Sequence, residues 1–297
     1  MAQVLTNLSN ALAETVAAVG PGVVRVDARD RLSASGIMWD NGVVVTSHHG
    51  VERDENLFVG LASGEKVSVT LAGRDPSTDL AVLRIQTNGI ELPSWVEADN
   101  LRVGHLVLAL GRPGGNVRAT MGIISALGDS WRTQQGGALD RYLQTDLVMY
   151  PGFSGGPLID SEGRILGVNT SALLRGVSLA VPTATVNRVV QELLAHGRVR
   201  RAYLGVGAQP TRLPDGLASE LQQETGLLLV SVESGSPAEQ GNLFLGDTIV
   251  SVNGQPVRHL DDLQANLGAD QVGSTVPVRI VRGGQVLEVP VVLGDHP

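Results

Sequence analysis

The sequence predicts a mainly β protein in two parts, a pair of β-barrels or sandwiches followed by a small mixed α+β module. Three observations carry this expectation. At roughly 150 residues per domain, 297 residues favour two domains, each large enough to close a core. Glycine and proline, 37 and 14 in number, punctuate short β-branched runs in a chain that is 42% hydrophobic but only 3% aromatic. The pattern changes once, near residue 190, where an amphipathic helix is followed by a short basic stretch.

The elements follow in order. A helix is expected from Leu5 to Val19, stopped by Gly20-Pro21-Gly22. Strands are expected at Val23 to Val26, Gly42 to Thr46, Leu57 to Leu61, Lys66 to Ala72, Leu80 to Ile85 and Leu106 to Leu110. Asp40-Asn41-Gly42, Ser63-Gly64 and Ser161-Glu162-Gly163 supply the turns. From Thr183 to His196, Val186, Val189, Val190, Leu193 and Leu194 recur at i, i+3, i+4, i+7 and i+8, and Gly197 ends the helix. Arg198-Val199-Arg200-Arg201 reads as a solvated linker, so the domains are expected to be 1–198 and 199–297. In the second, strands at Leu204 to Ala208, Leu227 to Val232, Thr248 to Val252, Val276 to Val281 and Val286 to Val292 surround a helix at Leu260 to Leu267. Asn253-Gly254 and Gly283-Gly284 read as hairpin turns.

Composition narrows the chemistry. With no cysteine, disulfides, thiolate metal sites and a thiol nucleophile are excluded. A formal charge of −8 argues against a nucleic acid partner, whose phosphates demand cations. Dinucleotide and Walker A patterns are missing, and no histidine pair has helical i, i+4 spacing, so neither cofactor nor metal is expected. No run of about 18 apolar residues suggests a membrane span, and the start lacks the basic and apolar blocks of a secretory signal. A chain complete at Met1 would be expected to stay in the cytoplasm. Six histidines remain as the scarce chemical resource: His48, His49, His105, His196, His259 and His296.

The most informative segment is Tyr150-Pro151-Gly152-Phe153-Ser154-Gly155-Gly156-Pro157-Leu158. Ser154 among glycines is a candidate nucleophile, since glycine lets the backbone bend close to a substrate and aim N–H groups at one point. Alone, the segment reads equally well as a Gly-rich turn with an incidental serine. It also satisfies the G-x-S-x-G elbow of α/β-hydrolases, but that motif needs a helix directly after the serine, and Pro157 with a strand–turn–strand pattern follows instead. The good partners lie upstream. Val43 to Ser47 delivers His48 and His49, and Thr78-Asp79-Leu80 puts an aspartate at the mouth of another apolar strand. His49, Asp79 and Ser154 are 30 and 75 residues apart.

With Thr46 to His49, Thr78 to Leu83, Gly104 to Gly111, Gly122 to Leu127, Gln144-Thr145-Asp146 leading into Gly152 to Leu158, Leu166 to Thr170, Leu179 to Pro182 and Tyr203 to Val206, the chain resembles HtrA-type (Deg) serine proteases over nearly its full length. The resemblance implies a chymotrypsin-like double β-barrel followed by a small α+β PDZ domain. It implies a serine endopeptidase acting on unfolded or exposed polypeptides in protein quality control. On the family's Thr-x-x-His pattern His49 is the base and His48 its non-catalytic neighbour, Asp79 orients His49, and Ser154 attacks the scissile carbonyl. Backbone N–H groups of Gly152, Phe153 and Ser154 would receive the oxyanion.

Val148 stands where trypsin-like enzymes that choose basic residues carry aspartate. With Met149, Val177, Ser178 and Leu179 as walls, a small or medium aliphatic P1 residue is expected. Tyr203, Leu204, Gly205 and Val206 match the carboxylate-binding loop of a PDZ domain, with Leu263 and Leu267 as walls of its side-chain pocket, so peptide C-termini are expected partners. Two departures stand out, since the family usually has asparagine where this chain has Tyr150 and Phe153. An alternative is therefore a latent homologue acting as a peptide-binding, chaperone-like protein. HtrA-type proteases are commonly trimeric through aromatics near the N-terminus. Residues 1 to 38 hold none, so a homo-oligomer is implied by the resemblance alone.

Overall fold

The computed structural model describes residues 2–87, 89–97 and 100–295, of which the side chains of Ala2 and Asp270 are left aside. Its contacts divide the chain into two compact units, Met1–Val199 and Arg200–Pro297.

The first unit opens with α1 (Ala2–Val19) and a 3₁₀ turn at Gly20–Gly22. Six strands follow: β1 (Val23–Asp27), β2 (Ala34–Asp40), β3 (Val43–Ser47), β4 (Leu57–Gly60), β5 (Lys66–Asp75) and β6 (Leu80–Ile85). They close a barrel in the order β1-β2-β3-β6-β5-β4. A second set comprises β7 (Leu106–Gly111), β8 (Arg118–Gly128), a small hairpin of β9 (Trp131–Arg132) and β10 (Ala138–Leu139), then β11 (Tyr142–Thr145), β12 (Pro157–Asp160), β13 (Ile165–Thr170) and β14 (Ser178–Pro182). Without the hairpin these close a second barrel, β11-β14-β13-β12-β7-β8.

The alternation of side chains along a strand explains why these runs are apolar on both faces. In β6, Ala81, Leu83 and Ile85 fill the first barrel, while Leu80 and Val82 join a cluster shared by the two barrels. In β7, Val107 and Ala109 fill the second barrel, while Leu108 and Leu110 enter the same shared cluster. Helix α2 (Thr183–His196) seals that cluster with Val186, Val189, Val190 and Leu193, all fully buried. The expected stop holds: Gly197 adopts φ +73°, and its N–H donates to the Leu193 carbonyl at 2.9 Å.

The second unit contains β15 (Ala202–Tyr203), β16 (Val206–Arg212), α3 (Asp215–Leu221), β17 (Thr225–Val232), α4 (Pro237–Gln240), β18 (Thr248–Val252), β19 (Gln255–Pro256), α5 (Leu260–Ala265), β20 (Thr275–Arg282), β21 (Gln285–Val292) and β22 (Gly294–Asp295). The main sheet runs β16-β17-β18-β20-β21, so β16 lies at an edge. Asn253 and Gly254, and Gly283 and Gly284, all take positive φ, as tight hairpin turns require. Two expectations shift. The strand expected from Leu204 begins at Val206 because Gly205, at φ +77°, breaks the extended backbone. Helix α5 ends at Ala265, which leaves Leu267 beyond it, and Leu263 is a core residue at 6% exposure.

Candidate active site

The apolar strand β3 ends at Ser47, and His48–Gly50 form one 3₁₀ turn rather than continuing the strand. Both backbone N–H groups bend toward Asp79: His48 N–H donates to its carbonyl at 3.0 Å and His49 N–H to Oδ1 at 2.9 Å. At three residues per turn, consecutive side chains still diverge by about 120°. The His49 ring faces the Asp79 carboxylate, with Nδ1 2.9 and 2.8 Å from Oδ1 and Oδ2. Thr170, at the end of β13, donates its hydroxyl to Oδ2 at 2.5 Å. The carboxylate is 3% exposed and filled with donors, an arrangement that fixes the imidazole plane.

Asp79 reaches this position at φ +58°, a left-handed conformation that aspartate tolerates better than most residues. The turn before it is built by a second buried carboxylate. Asp75 accepts from Ser77 N–H at 3.1 Å, Ser77 Oγ at 2.6 Å and Thr78 Oγ1 at 2.6 Å. The loop between β9 and β10 braces the turn from outside, since Thr133 Oγ1 donates to the Ser77 carbonyl at 2.7 Å.

The serine loop is two turns end to end. Tyr150-Pro151-Gly152-Phe153 has the Pro–Gly order of a type II turn, with Gly152 at φ +88° and Phe153 N–H donating to the Tyr150 carbonyl at 3.0 Å. Phe153-Ser154-Gly155-Gly156 follows, with Gly155 at φ +86° and Gly156 N–H donating to the Phe153 carbonyl at 3.0 Å. A β-carbon on Gly155 would lie 2.2 Å from the Ser35 carbonyl oxygen, so the position excludes any larger residue. Among the described residues, the N–H groups of Gly152 and Ser154 have no protein acceptor. Phe153 corrects the expectation of three donors: its N–H is committed to the first turn. Its ring, 1% exposed, packs in the second barrel with Val107, Leu143 and Leu158. Tyr150 is exposed and meets that ring edge-on, with centroids 6.0 Å apart.

Ser154 Oγ lies 3.3 Å from Ser171 Oγ, and among the described residues no hydrogen bond joins it to His49. The expected side-chain pocket residues are divided by burial. Val148 is 58% exposed and Leu179 is buried, while Met149, Val177 and Ser178 are half-buried. Ser178 Oγ donates to the Leu147 carbonyl at 2.8 Å. Of the other histidines, His105 accepts from Arg102, His196 ends α2, and His259 caps α5 opposite Asp262. His296 lies outside the described residues. Among the described residues no cluster of three or more metal-ligating side chains occurs.

In the second unit, Gly205 sits against Ser236, where a β-carbon would approach to 2.2 Å. The carbonyls of Leu204 and Gly205 accept from Ala238 and Glu233 at 2.8 and 2.9 Å, which holds the loop. Among the described residues, the N–H groups of Leu204 and Gly205 have no protein acceptor. Tyr203 donates its hydroxyl to the Glu233 carboxylate. Val206 on the edge strand and Leu267 pack against the cluster that contains Leu263.

A trypsin-like peptidase domain family matches residues 34–168, a span that includes His49, Asp79 and Ser154, and a PDZ domain family matches residues 202–293. The putative serine protease HhoB of Synechocystis is 30% identical over 334 residues, covering 97% of this chain and 80% of HhoB. The chain belongs to the HtrA family of serine proteases. A probable periplasmic serine endoprotease, DegP-like, from Chlamydia trachomatis is 35% identical over 281 residues, and the chain spans 56% of that relative's length. Among solved structures, the HtrA-type protease AlgW with a decapeptide superposes with a TM-score of 0.78 at 27% identity, covering 96% of this chain and 99% of that one. The serine endoprotease from Yersinia pestis gives 0.78 at 29% identity, covering 96% and 98%.

In this HtrA-family chain His48 carries its own pH signature. Its Nδ1 is buried and has no hydrogen-bond partner among the described residues. Burial pushes the imidazole below its ordinary value, with Arg74 and His49 acting in the same sense and Asp79 and Asp75 opposing. A depressed value in the fold means that protonation favours unfolding. The stabilisation is present above the unfolded imidazole value of about 6.5 and is lost as pH falls through the folded value. Urea midpoints measured from pH 7.5 down to 5 are expected to decline, and the decline should be shallower in His48→Gln. Parallel curves for the two proteins would contradict this.

Proposed function

We propose that this HtrA-family chain is a serine endopeptidase in which His49, Asp79 and Ser154 form the triad, residues 1–198 being the protease part and 199–297 the PDZ part. The observation that carries the reading is the His49 to Asp79 pairing beside a serine flanked by two unengaged backbone donors. Asp79 keeps the Nδ1 proton on its own side, so Nε2 is the base. As Ser154 Oγ bonds to the scissile carbonyl carbon, its proton passes to Nε2, and the oxyanion is received by the N–H groups of Gly152 and Ser154. The imidazolium then protonates the leaving amine, and water repeats the sequence to release the acyl group. The residues proposed to line the primary pocket, Val148, Met149, Val177, Ser178 and Leu179, carry no charge, so an aliphatic P1 side chain fits better than lysine or arginine, which would be desolvated without a partner.

Cleavage of an unfolded protein such as reduced casein tests the reading. The unmodified chain is expected to digest it, with cuts mainly after aliphatic residues, whereas His49→Ala should not. Cuts mainly after lysine or arginine would contradict the proposed pocket. A second reading, a latent peptide-binding homologue, is favoured by one observation, the Ser154 hydroxyl resting on Ser171 instead of His49. Catalytic hydrogen bonds often tighten only when substrate binds, and for that reason we take the peptidase reading first.

For the second unit we propose capture of a peptide C-terminus. The N–H groups of Leu204 and Gly205 would receive the carboxylate, and the free edge of β16 would take the peptide as an added strand. Titration with a peptide ending in a free apolar residue should show saturable binding that the C-terminally amidated peptide loses. Equal binding of the two forms would remove the carboxylate role.

A further inference from the structure

We infer that Ser35 is the positioning residue that sets the oxyanion loop, and that the buried Arg112 holds it there; the inference rests on the peptidase reading above. The two backbone donors assigned to the oxyanion belong to Gly152 and Ser154, and Ser35 pins the carbonyl of each. Its hydroxyl donates to the Gly152 carbonyl at 2.6 Å, and its N–H donates to the Ser154 carbonyl at 3.1 Å. Gly152, at φ +88° and without a side chain, is held within the loop only by the Phe153 N–H to Tyr150 carbonyl bond that spans it, and Ser35 adds a restraint from outside the loop.

Ser35 is fully buried on β2, and its oxygen is itself aimed. Arg112 N–H donates to Ser35 Oγ at 2.7 Å, which leaves the serine proton directed at Gly152. The space is closed on the third side, since a β-carbon on Gly111 would meet both Ser35 Oγ at 3.0 Å and the Phe153 α-carbon at 3.2 Å.

Arg112 is 5% exposed and follows β7 directly. Among the described residues its guanidinium makes no ion pair. Instead it donates to three carbonyls: Val23 at 2.7 Å, Gly115 at 2.7 Å and Gly20 at 2.9 Å. Burying a cation without a counter-charge is costly, and the planar fork is what allows three separate carbonyls to be met at once. Through Gly20 and Val23 the guanidinium ties the turn after α1 to the backbone that directs Ser35. The oxyanion loop is therefore set from the N-terminal segment by a chain of hydrogen bonds.

The test uses a fluorophosphonate probe, whose attack by a serine places negative charge in the oxyanion site, and separates its maximal rate kinact from its half-saturation KI. Ser35→Ala is expected to lower kinact by at least about ten-fold with KI within about two-fold, because the loop loses a pin but the pocket is untouched. Arg112→Lys keeps the charge and loses the fork, and is expected to lower kinact in the same direction by at least about three-fold. Unchanged kinact in Ser35→Ala, or a change confined to KI, overturns the inference. If Ser35→Ala does not fold, as judged by circular dichroism, Arg112→Lys decides by the same criterion. Failure of the unmodified chain to label at all would overturn the peptidase reading instead.

Discussion

Replacing Asp79 by asparagine is expected to lower kcat by about 10⁴-fold while leaving the chain folded. The carboxylate accepts from three groups: the His49 ring, the His49 backbone N–H and the Thr170 hydroxyl. An amide offers one oxygen and one NH₂ in the same space. With the oxygen in the Oδ1 place it still accepts from the His49 backbone, and the NH₂ takes the Oδ2 place, where it donates to the Thr170 hydroxyl and faces His49 Nδ1, so the ring must turn that nitrogen into an acceptor. The proton then sits on Nε2, which can no longer take one from Ser154. KM should move little, because Asp79 does not touch the substrate in this reading. Steady-state kinetics on a peptide cut by the unmodified chain, with circular dichroism on the variant, would check it. A folded variant within about ten-fold of the unmodified kcat would contradict the role given to Asp79.

Truncating Phe153 to alanine is expected to cost about 3–5 kcal/mol of stability in chemical denaturation. The ring is among the largest fully buried side chains in the chain and sits in the barrel cluster with Ala109, Ile124 and Leu147, which cannot all collapse into the space it leaves. Asparagine, the residue usual in the family at this position, should be no better here, because its amide would be buried among aliphatic groups without partners. In both variants the serine loop loses the anchor that follows Gly152, so turnover should fall along with stability. A loss below about 1 kcal/mol would show that the loop holds without the ring.

Much of this was legible in the sequence because it rests on local rules. The Gly42, Gly254 and Gly284 turns take the positive φ that hairpins need, and α2 runs from Thr183 to His196 as its periodicity predicts. The candidate site was legible where residue type and chemistry coincide, in a histidine, an aspartate and a glycine-flanked serine. What escaped was set by tertiary contact. Nothing around Ser35 or Arg112 distinguishes them in sequence from any strand serine or loop arginine, and most of the partners named above, Gly115 excepted, lie 77 or more residues away. The Asp75 turn that delivers Asp79 could have been noticed, since Asp-Pro-Ser-Thr is turn chemistry, but its link to the site required the fold. Phe153 could be read from sequence as either a disturbance or an anchor, and only the barrel interior decides between them.

The most direct test of the central claim is to treat the unmodified chain with a fluorophosphonate and map the adduct by mass spectrometry. One phosphonyl group on Ser154, absent in His49→Ala treated in parallel, is the result expected of a serine activated by His49. An unmodified intact mass, or an adduct on any other residue, would contradict it.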